Sequence, residues 1–201
     1  MKKINVLLLL TSILVTFTSC ENIEKKTIKM YCETVKKTVS DTTIDYSSIS
    51  SIEEKTYKEL ILKNDELKNN TEFINSFKDN EDVKELHKSI KTKIIENVQN
   101  ILKKNSFVTG VDNRWQVHKL AFDGNMVRII STQIDARGSY ETENATKKYT
   151  VTIEDNGKTY INAKKDSGDD LIFEFGKSQT DYYILINERV YVNITINKTK
   201  S

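Results

Sequence analysis

The sequence predicts an α+β protein in which N-terminal helices pack on a C-terminal antiparallel β-sheet, or half-open barrel, of about 6–7 strands. Two observations support this fold class. Before residue 105, apolar side chains recur at helical spacing, and the chain contains no glycine. After residue 105, apolar and polar side chains alternate, and all six glycines occur there. We therefore predict a helical segment over 51–104 and a β segment over 105–201, which pack together as one domain.

The clearest helix is predicted between Glu81 and Lys104. Acidic residues cluster at its start and lysines at its end, which complements the helix macrodipole. Its apolar residues follow steps of three and four and should form one buried face: Val83, Leu86, Ile90, Ile94, Val98 and Ile101. Upstream, Ser51-Ile52-Glu53-Glu54 has the form of a capping box, which predicts that another helix begins near Ser51.

The strands are predicted from alternation of apolar and polar residues. The runs are Arg114–Phe122, Met126–Ile134, Tyr149–Ile153, Thr159–Ala163, Leu171–Phe175, Tyr182–Ile186 and Val190–Ile196. The connections between them are short, so neighbouring strands should be antiparallel. Asn156-Gly157 favours a type I′ hairpin turn, because both positions of that turn need residues that tolerate a positive φ.

Residues 20–50 are predicted to connect the N-terminus to the domain. Ile28, Tyr31, Val35 and Val39 follow helical spacing and indicate a short amphipathic helix. Ser40 to Ser51 is polar and rich in Ser and Thr, which is typical of a loop or linker. If the whole segment were flexible, it would reach about 30 Å.

The first nineteen residues have the pattern of a signal peptide. Lys2 and Lys3 precede an apolar run from Val6 to about Val15, too short for a stable membrane span of ~30 Å. The run ends in Phe17-Thr18-Ser19-Cys20, which resembles the bacterial lipobox. That resemblance implies that Cys20 carries the lipid and that the mature chain comprises residues 20–201. By the same resemblance, Glu21 favours the outer membrane, so we expect a lipid-anchored protein of the cell envelope, on its periplasmic or surface face.

The overall charge does not point to nucleic acid, and no nucleic-acid partner is predicted. Removing Lys2 and Lys3 with the signal leaves 29 basic and 29 acidic residues. The two halves of the mature chain are also each neutral, so neither provides the positive field that nucleic acid requires. The mean hydropathy is −0.52.

The sequence predicts no catalytic residue, no metal site and no cofactor. His87 and His118 have no neighbours at metal-ligand spacing, and no nucleophile elbow or phosphate-binding loop is present. The acidic run 166–170 lacks the spacing of a calcium-binding loop and is interpreted as a polar turn. Cys32 has no partner once Cys20 is acylated and is expected to be a buried, small apolar side chain.

Tyrosines of the β half are the candidate ligand-binding residues. Consecutive Tyr182 and Tyr183 must point to opposite faces. Tyr191 opposes the presumed core face of Val190 and Val192. Rings outside the core can line a ligand groove, and the candidates are Tyr160, Tyr182 and Tyr191.

The favoured function is a non-catalytic binding or interaction module in the cell envelope. Its partners would be the membrane, through the N-terminal lipid, and an envelope protein or small ligand. The alternatives are a lipid or small apolar ligand carrier, an envelope hydrolase with a dispersed carboxylate site, and an inhibitor that caps another protein. The sequence names no reaction.

Overall fold

The computed structural model describes residues 22–110, 115–164, 170–179, 181–186 and 189–194. The described residues form two compact units. Residues 22–38 and 51–88 make up the helical unit; residues 39–50 and those from Ser89 onward make up the barrel unit. Cys20, the acidic residues 166–169 and the end of the last predicted strand, 195–196, lie outside the described residues. The packing of helices and strands as one domain stays a prediction.

The helices begin with α1, which spans Ile23–Lys36, and α2, which spans Ser47–Tyr57 and continues as a π-helix over Lys58–Leu62. Next come α3, Thr71–Ser76, a 3₁₀ turn over Phe77–Asp79, and α4, Glu81–Lys104. None of the helices described here is both long and apolar enough to cross a membrane.

Phe77 organises the aromatic core of the helical unit. Its ring lies 5.0 Å from that of Tyr31, 5.1 Å from that of Tyr57 and 5.9 Å from that of Phe73, each edge-to-face. Tyr31 comes from α1, whose buried face also includes Ile28 and Val35. This packing fixes the rotation of α1 about its axis, so its other face is exposed.

Helix α4 confirms the range predicted from the sequence. Asn80 precedes it, and its side-chain oxygen accepts from the Asp82 amide at 3.0 Å, which satisfies one of the unpaired amides of the first turn. The buried face is as predicted except at its end, where Leu102 is fully buried and Ile101 is partly exposed.

Helix α2 begins four residues earlier than the capping-box prediction. The Asp45 carboxylate accepts a hydrogen bond from the Ser48 amide at 3.0 Å and so caps the first turn of the helix. Ser51 therefore lies inside α2, and the prediction of a helix start there is wrong. Glu53 instead lies 3.0 Å from Nε2 of His87 within the helical unit.

Residues 39–46 form a strap in the barrel unit rather than a free tether. The buried Asn97 side chain donates to the carbonyls of Ser40, at 2.8 Å, and Thr43, at 3.0 Å. The Tyr46 amide donates to the Gly157 carbonyl at 2.7 Å. Thr159 Oγ1 donates to the carbonyl of Ile44.

Eight antiparallel strands form a closed barrel within the described residues. In chain order they are β1 Ser106–Val108, β2 Gln116–Asp123, β3 Met126–Asp135, β4 Gly138–Ile153, β5 Thr159–Ala163, β6 Leu171–Lys177, β7 Tyr182–Ile186 and β8 Arg189–Ile194. Each strand pairs with the next, and β1 pairs with β8. The α+β class is confirmed, but the predicted half-open sheet of 6–7 strands is wrong.

The additional strand is β1, and it closes the barrel. Ser106 pairs with Ala121 of β2 on one side and with Ile194 of β8 on the other. A run of three residues is too short to show a period of two, so its alternation could not be recognised in the sequence. The first part of β4, over 138–148, was missed as well, because its side chains are mostly polar and exposed.

The hairpin between β4 and β5 confirms the predicted pairing but not the turn type. Ile153 pairs with Thr159, which leaves a five-residue connection. The Gly157 amide donates to the Glu154 carbonyl at 2.9 Å, and Gly157 has φ +78°. Asn156 does not have the positive φ that a type I′ turn requires.

Aromatic rings cross the interior of the barrel. Phe107 of β1 lies 6.2 Å from Phe175 of β6 and 6.1 Å from Phe122 of β2. Phe122 in turn lies 5.2 Å from Tyr149. Strands β1 and β6 are separated by β7 and β8 in the sheet, so the contact between Phe107 and Phe175 is made across the barrel and fills it.

The two faces of β8 are the reverse of the prediction. Val190 and Val192 are 51% and 53% exposed, whereas Tyr191 is only 7% exposed. Alternation defines two faces but does not decide which is buried. In this barrel the larger ring fills the interior and the valines lie on the outer surface.

Candidate functional site

A polar line of three side chains crosses the inner face of β2, β3 and β4. His118 pairs in register with Ser131, and Ser131 pairs with Glu143. His118 Nδ1 lies 2.9 Å from Ser131 Oγ, and Ser131 Oγ donates to Glu143 Oε2 at 3.1 Å. Ser131 is 3% exposed, so the line is anchored by a buried hydroxyl.

The backbone holds His118 in place. Its amide donates to Thr109 Oγ1 at 3.0 Å, and its carbonyl accepts from the Thr109 amide at 2.9 Å. A β-bulge between Ser131 and Thr132 shifts the register of β3 and β4 next to this position. Thr142 Oγ1 donates to the Ser131 carbonyl at 3.2 Å across this irregularity.

The order of the three groups does not match that of a serine nucleophile. A serine hydroxyl has one proton. Here Ser131 donates that proton to Glu143, so it accepts from Nδ1–H of His118. In a nucleophilic triad the histidine lies between the serine and the carboxylate and accepts the serine proton. The line therefore connects β2, β3 and β4 through their side chains, in an order that differs from that of a nucleophilic triad.

A cleft of about 520 Å³ lies at the turn between β3 and β4. It is lined by Trp115, Gln133, Ile134, Asp135 and Ala136. Gln133 is two residues beyond Ser131 on the same strand, so the polar line and the cleft share β3. The volume is within the range of small-ligand sites, about 300–1,000 Å³.

Trp115 is the only tryptophan of the chain, and its side chain is 65% exposed. It has φ +59°, the one positive φ among the described residues other than glycine. Large side chains rarely adopt this conformation, and such positions cluster at binding sites. The Trp115 carbonyl accepts from the Ile134 amide at 2.8 Å, which ties this residue to the cleft wall. The cleft thus offers an aromatic ring beside an amide and a carboxylate.

The structure does not bring the three candidate tyrosines together. Tyr191 and Tyr182 are on the inner face of the barrel: Tyr191 is buried, and Tyr182 stacks on Phe175 at 5.8 Å. Tyr160 is half-buried on the outer face of β5, where its hydroxyl accepts from Asn156 at 3.3 Å. A role in ligand binding stays a prediction for each of them, but they do not form one surface.

Cys32 is half-buried rather than fully buried. Its thiol lies 3.8 Å from the carbonyl oxygen of Asp82, and burial raises its pKa to about 11. At neutral pH it is therefore a weak nucleophile. No group of three or more potential metal ligands occurs among the residues that the structure describes.

Sequence reasoning missed Trp115 and the His118–Ser131–Glu143 line. A signal for the line was present: Gly124-Asn125 connects β2 to β3 with only two residues, and that turn alone sets His118 opposite Ser131. Trp115 falls within the predicted strand Arg114–Phe122, and its positive φ could not be anticipated from the residue type.

No protein-family model matches the chain, and comparisons with curated proteins and with solved structures return no significant match.

Proposed function

We propose that this chain is a lipid-anchored lipoprotein of the bacterial cell envelope that acts as a non-catalytic binding module. The Trp115 cleft is its ligand site. The observation that carries this proposal is the exposed indole ring beside Gln133 and Asp135 in a cleft large enough for a small ligand. Exposed Trp combines a broad apolar surface with a polar N–H, which suits it to interfaces.

The proposal of a lipid anchor is based on Cys20 and the residues before it. The lysines, short apolar run and small residues ahead of Cys20 support export and lipid attachment, and Glu21 favours the outer membrane. Attached acyl chains contribute about 0.8 kcal/mol per buried CH₂, so a multiply acylated cysteine would hold the protein at the membrane.

Binding at the cleft is favoured over two of the alternative functions, the ligand carrier and the hydrolase. A carrier needs an empty interior, and the rings of Phe107, Phe122 and Phe175 meet inside this barrel. A glycoside hydrolase needs two carboxyl groups flanking the bond to be cleaved. Among the described residues that line the cleft, Asp135 alone carries a carboxylate.

The anchor is tested by palmitate labelling of cells that express the wild type or Cys20→Ala. The wild type should be labelled and recovered with membranes, and the variant should not. Absence of label on the wild type would contradict the lipoprotein assignment.

The binding site is tested with the mature chain and fractionated envelope components. Because Trp115 is the only tryptophan, a ligand that covers its ring should shift the fluorescence emission to shorter wavelength and reduce quenching by acrylamide. Components that bind should be retained by the wild type and by Ile172→Ala, an exposed apolar side chain on the outer face of β6, but lost from Trp115→Ala. Equal retention by Trp115→Ala, or turnover of a bound component, would overturn the proposal.

A further inference from the structure

The exposed face of α1 is strongly basic. Five lysines lie on or directly after this helix, and all are exposed: Lys25, Lys26, Lys29, Lys36 and Lys37. Two acidic residues accompany them, and one of these, Glu24, accepts a hydrogen bond from Asn70 within the helical unit at 2.9 Å. The exposed side also carries two apolar side chains, Ile23 at 37% exposure and Met30 at 45%.

Two of the five lysines lie where the helix dipole disfavours a cation. Lys25 and Lys26 follow Glu24 in the first turns of α1, near the positive end of the helix dipole, where cations are disfavoured. Helix α4 of the same chain follows the usual rule, with Glu81 and Asp82 in its first turn. An anionic partner outside the helix would stabilise the two lysines near the start of α1.

The length of chain ahead of α1 identifies that partner. Asn22 caps the helix, and its side chain accepts from the Glu24 amide at 2.9 Å, so the helix starts at Ile23. Three residue steps separate Cys20 from Ile23, which span at most about 11 Å even when fully extended. A lipid on Cys20 thus places the first lysines within about one Debye length of the headgroups.

We infer that the exposed lysine face of α1 binds the anionic lipid surface to which the protein is anchored. This inference rests on the proposed lipid attachment at Cys20. The packing of Tyr31 against Phe77 turns the opposite face of the helix inward, so the lysines face outward, with Ile23 and Met30 available to enter the interface. A basic face near an acyl anchor is the combination that strengthens peripheral membrane binding.

The test separates this surface from the anchor itself. The mature chain carrying Cys32→Ser is coupled through Cys20 to a maleimide lipid, so it does not depend on acylation in cells. It is placed on vesicles of phosphatidylcholine alone or of phosphatidylcholine with phosphatidylglycerol. A soluble amine-acetylating reagent is then added, and mass spectrometry follows each lysine.

Lys25, Lys26 and Lys29 should be acetylated several-fold more slowly on the anionic vesicles than on the neutral ones, and 1 M salt should remove the difference. The exposed barrel lysines Lys148 and Lys164 are internal controls and should react equally on both. Equal reaction of the α1 lysines on the two vesicles, or equal protection of the controls, would overturn the inference. A failure of palmitate labelling in cells would instead overturn the anchor.

A second measurement uses the uncoupled mature chain and sedimentation with anionic vesicles. The triple variant Lys25→Gln, Lys26→Gln and Lys29→Gln should bind more weakly, by about fivefold for each lysine at low salt. A matched triple variant on the barrel, Lys148→Gln, Lys164→Gln and Lys177→Gln, should bind as the wild type does. Loss of binding in the barrel variant alone would place the surface elsewhere and refute the inference.

Discussion

Strands β2 and β3 are built differently at their two ends. Near the turn that joins them, Phe122 and Val127 are buried, and Phe122 packs against Phe107 and Tyr149. Toward the other end, the same inner face carries His118 and Ser131, and beyond them lies the exposed ring of Trp115. One pair of strands thus combines a packed apolar interior with a polar end that opens onto a cleft.

The difference shows how a small barrel can pack its interior at one end and leave an open cleft at the other. An eight-stranded barrel is just wide enough to be filled by its own side chains. The packed end supplies stabilisation through burial of apolar surface. The polar end supplies hydrogen-bonding groups held by a rigid sheet, which is the arrangement that positions binding residues well.

Phe107→Ala should have the largest effect on stability. Phe107 is fully buried and contacts two other rings, so its removal leaves a cavity and should cost about 3–5 kcal/mol. Denaturant unfolding followed by circular dichroism measures this loss. The control is Ile172→Ala on the outer face of β6, which is 57% exposed. A cost no greater than that of the control would show that the interior is not tightly packed.

Ser131→Ala should be the next most costly change, at about 1–2 kcal/mol. It removes the hydroxyl that connects His118 to Glu143, and with it one hydrogen bond to each of them. Ser139→Ala, an exposed serine on β4, is the matched control and should be nearly neutral. If both variants unfold at the same denaturant concentration as the wild type, the polar line contributes nothing to the sheet.

Tyr149→Phe tests the packed end of the barrel through the pH dependence of its stability. The Tyr149 hydroxyl donates to the Gly124 carbonyl at 3.2 Å, and burial raises its pKa above the ordinary 10.0. The neutral ring therefore contributes stability that is fully present below about pH 10. This contribution is lost as the pH rises through the higher pKa of the folded state.

The wild type should exceed Tyr149→Phe in stability by about 0.5–1.5 kcal/mol at pH 7, and this margin should shrink above pH 10. Unfolding curves between pH 7 and 11 measure it, with Tyr140→Phe as the exposed control. A margin that stays constant up to pH 11 would contradict the role assigned to burial.

Trp115→Ala should have the smallest effect on stability and the largest on binding. The ring is mostly exposed, so its truncation should change the free energy of unfolding by no more than about 0.5 kcal/mol. Binding of an envelope ligand should nevertheless be lost. A variant that unfolds much more easily than the wild type would show that Trp115 supports the sheet rather than a ligand.

The sequence predicted local structure better than it predicted the closure of the barrel or the position of the candidate site. Helix α4 has a long apolar period with matching charges at both ends, and its range was correct. The seven longer strands were also found, although β4 was recognised only over Tyr149–Ile153, where apolar and polar residues alternate. Strand β1 was missed because its three residues acquire their role only through distant partners on β2 and β8.

The site was harder to predict because its geometry arises from register and backbone conformation. Tyr191 was assigned to the surface, but closure of the barrel turned it inward. His118 and Ser131 look unremarkable in the sequence and meet only when the hairpin pairs. Trp115 becomes a candidate through its exposure and its positive φ, neither of which follows from residue type.

The pairing of β1 with β8 sets the order in which the chain can fold. Ser106 of β1 pairs with Ile194 of β8. The barrel therefore cannot close until β8 is available for pairing. Contacts of such long sequence separation slow folding. Under the proposed export, this delay would keep the barrel open while the chain crosses the membrane, and the barrel would close only after β8 has emerged.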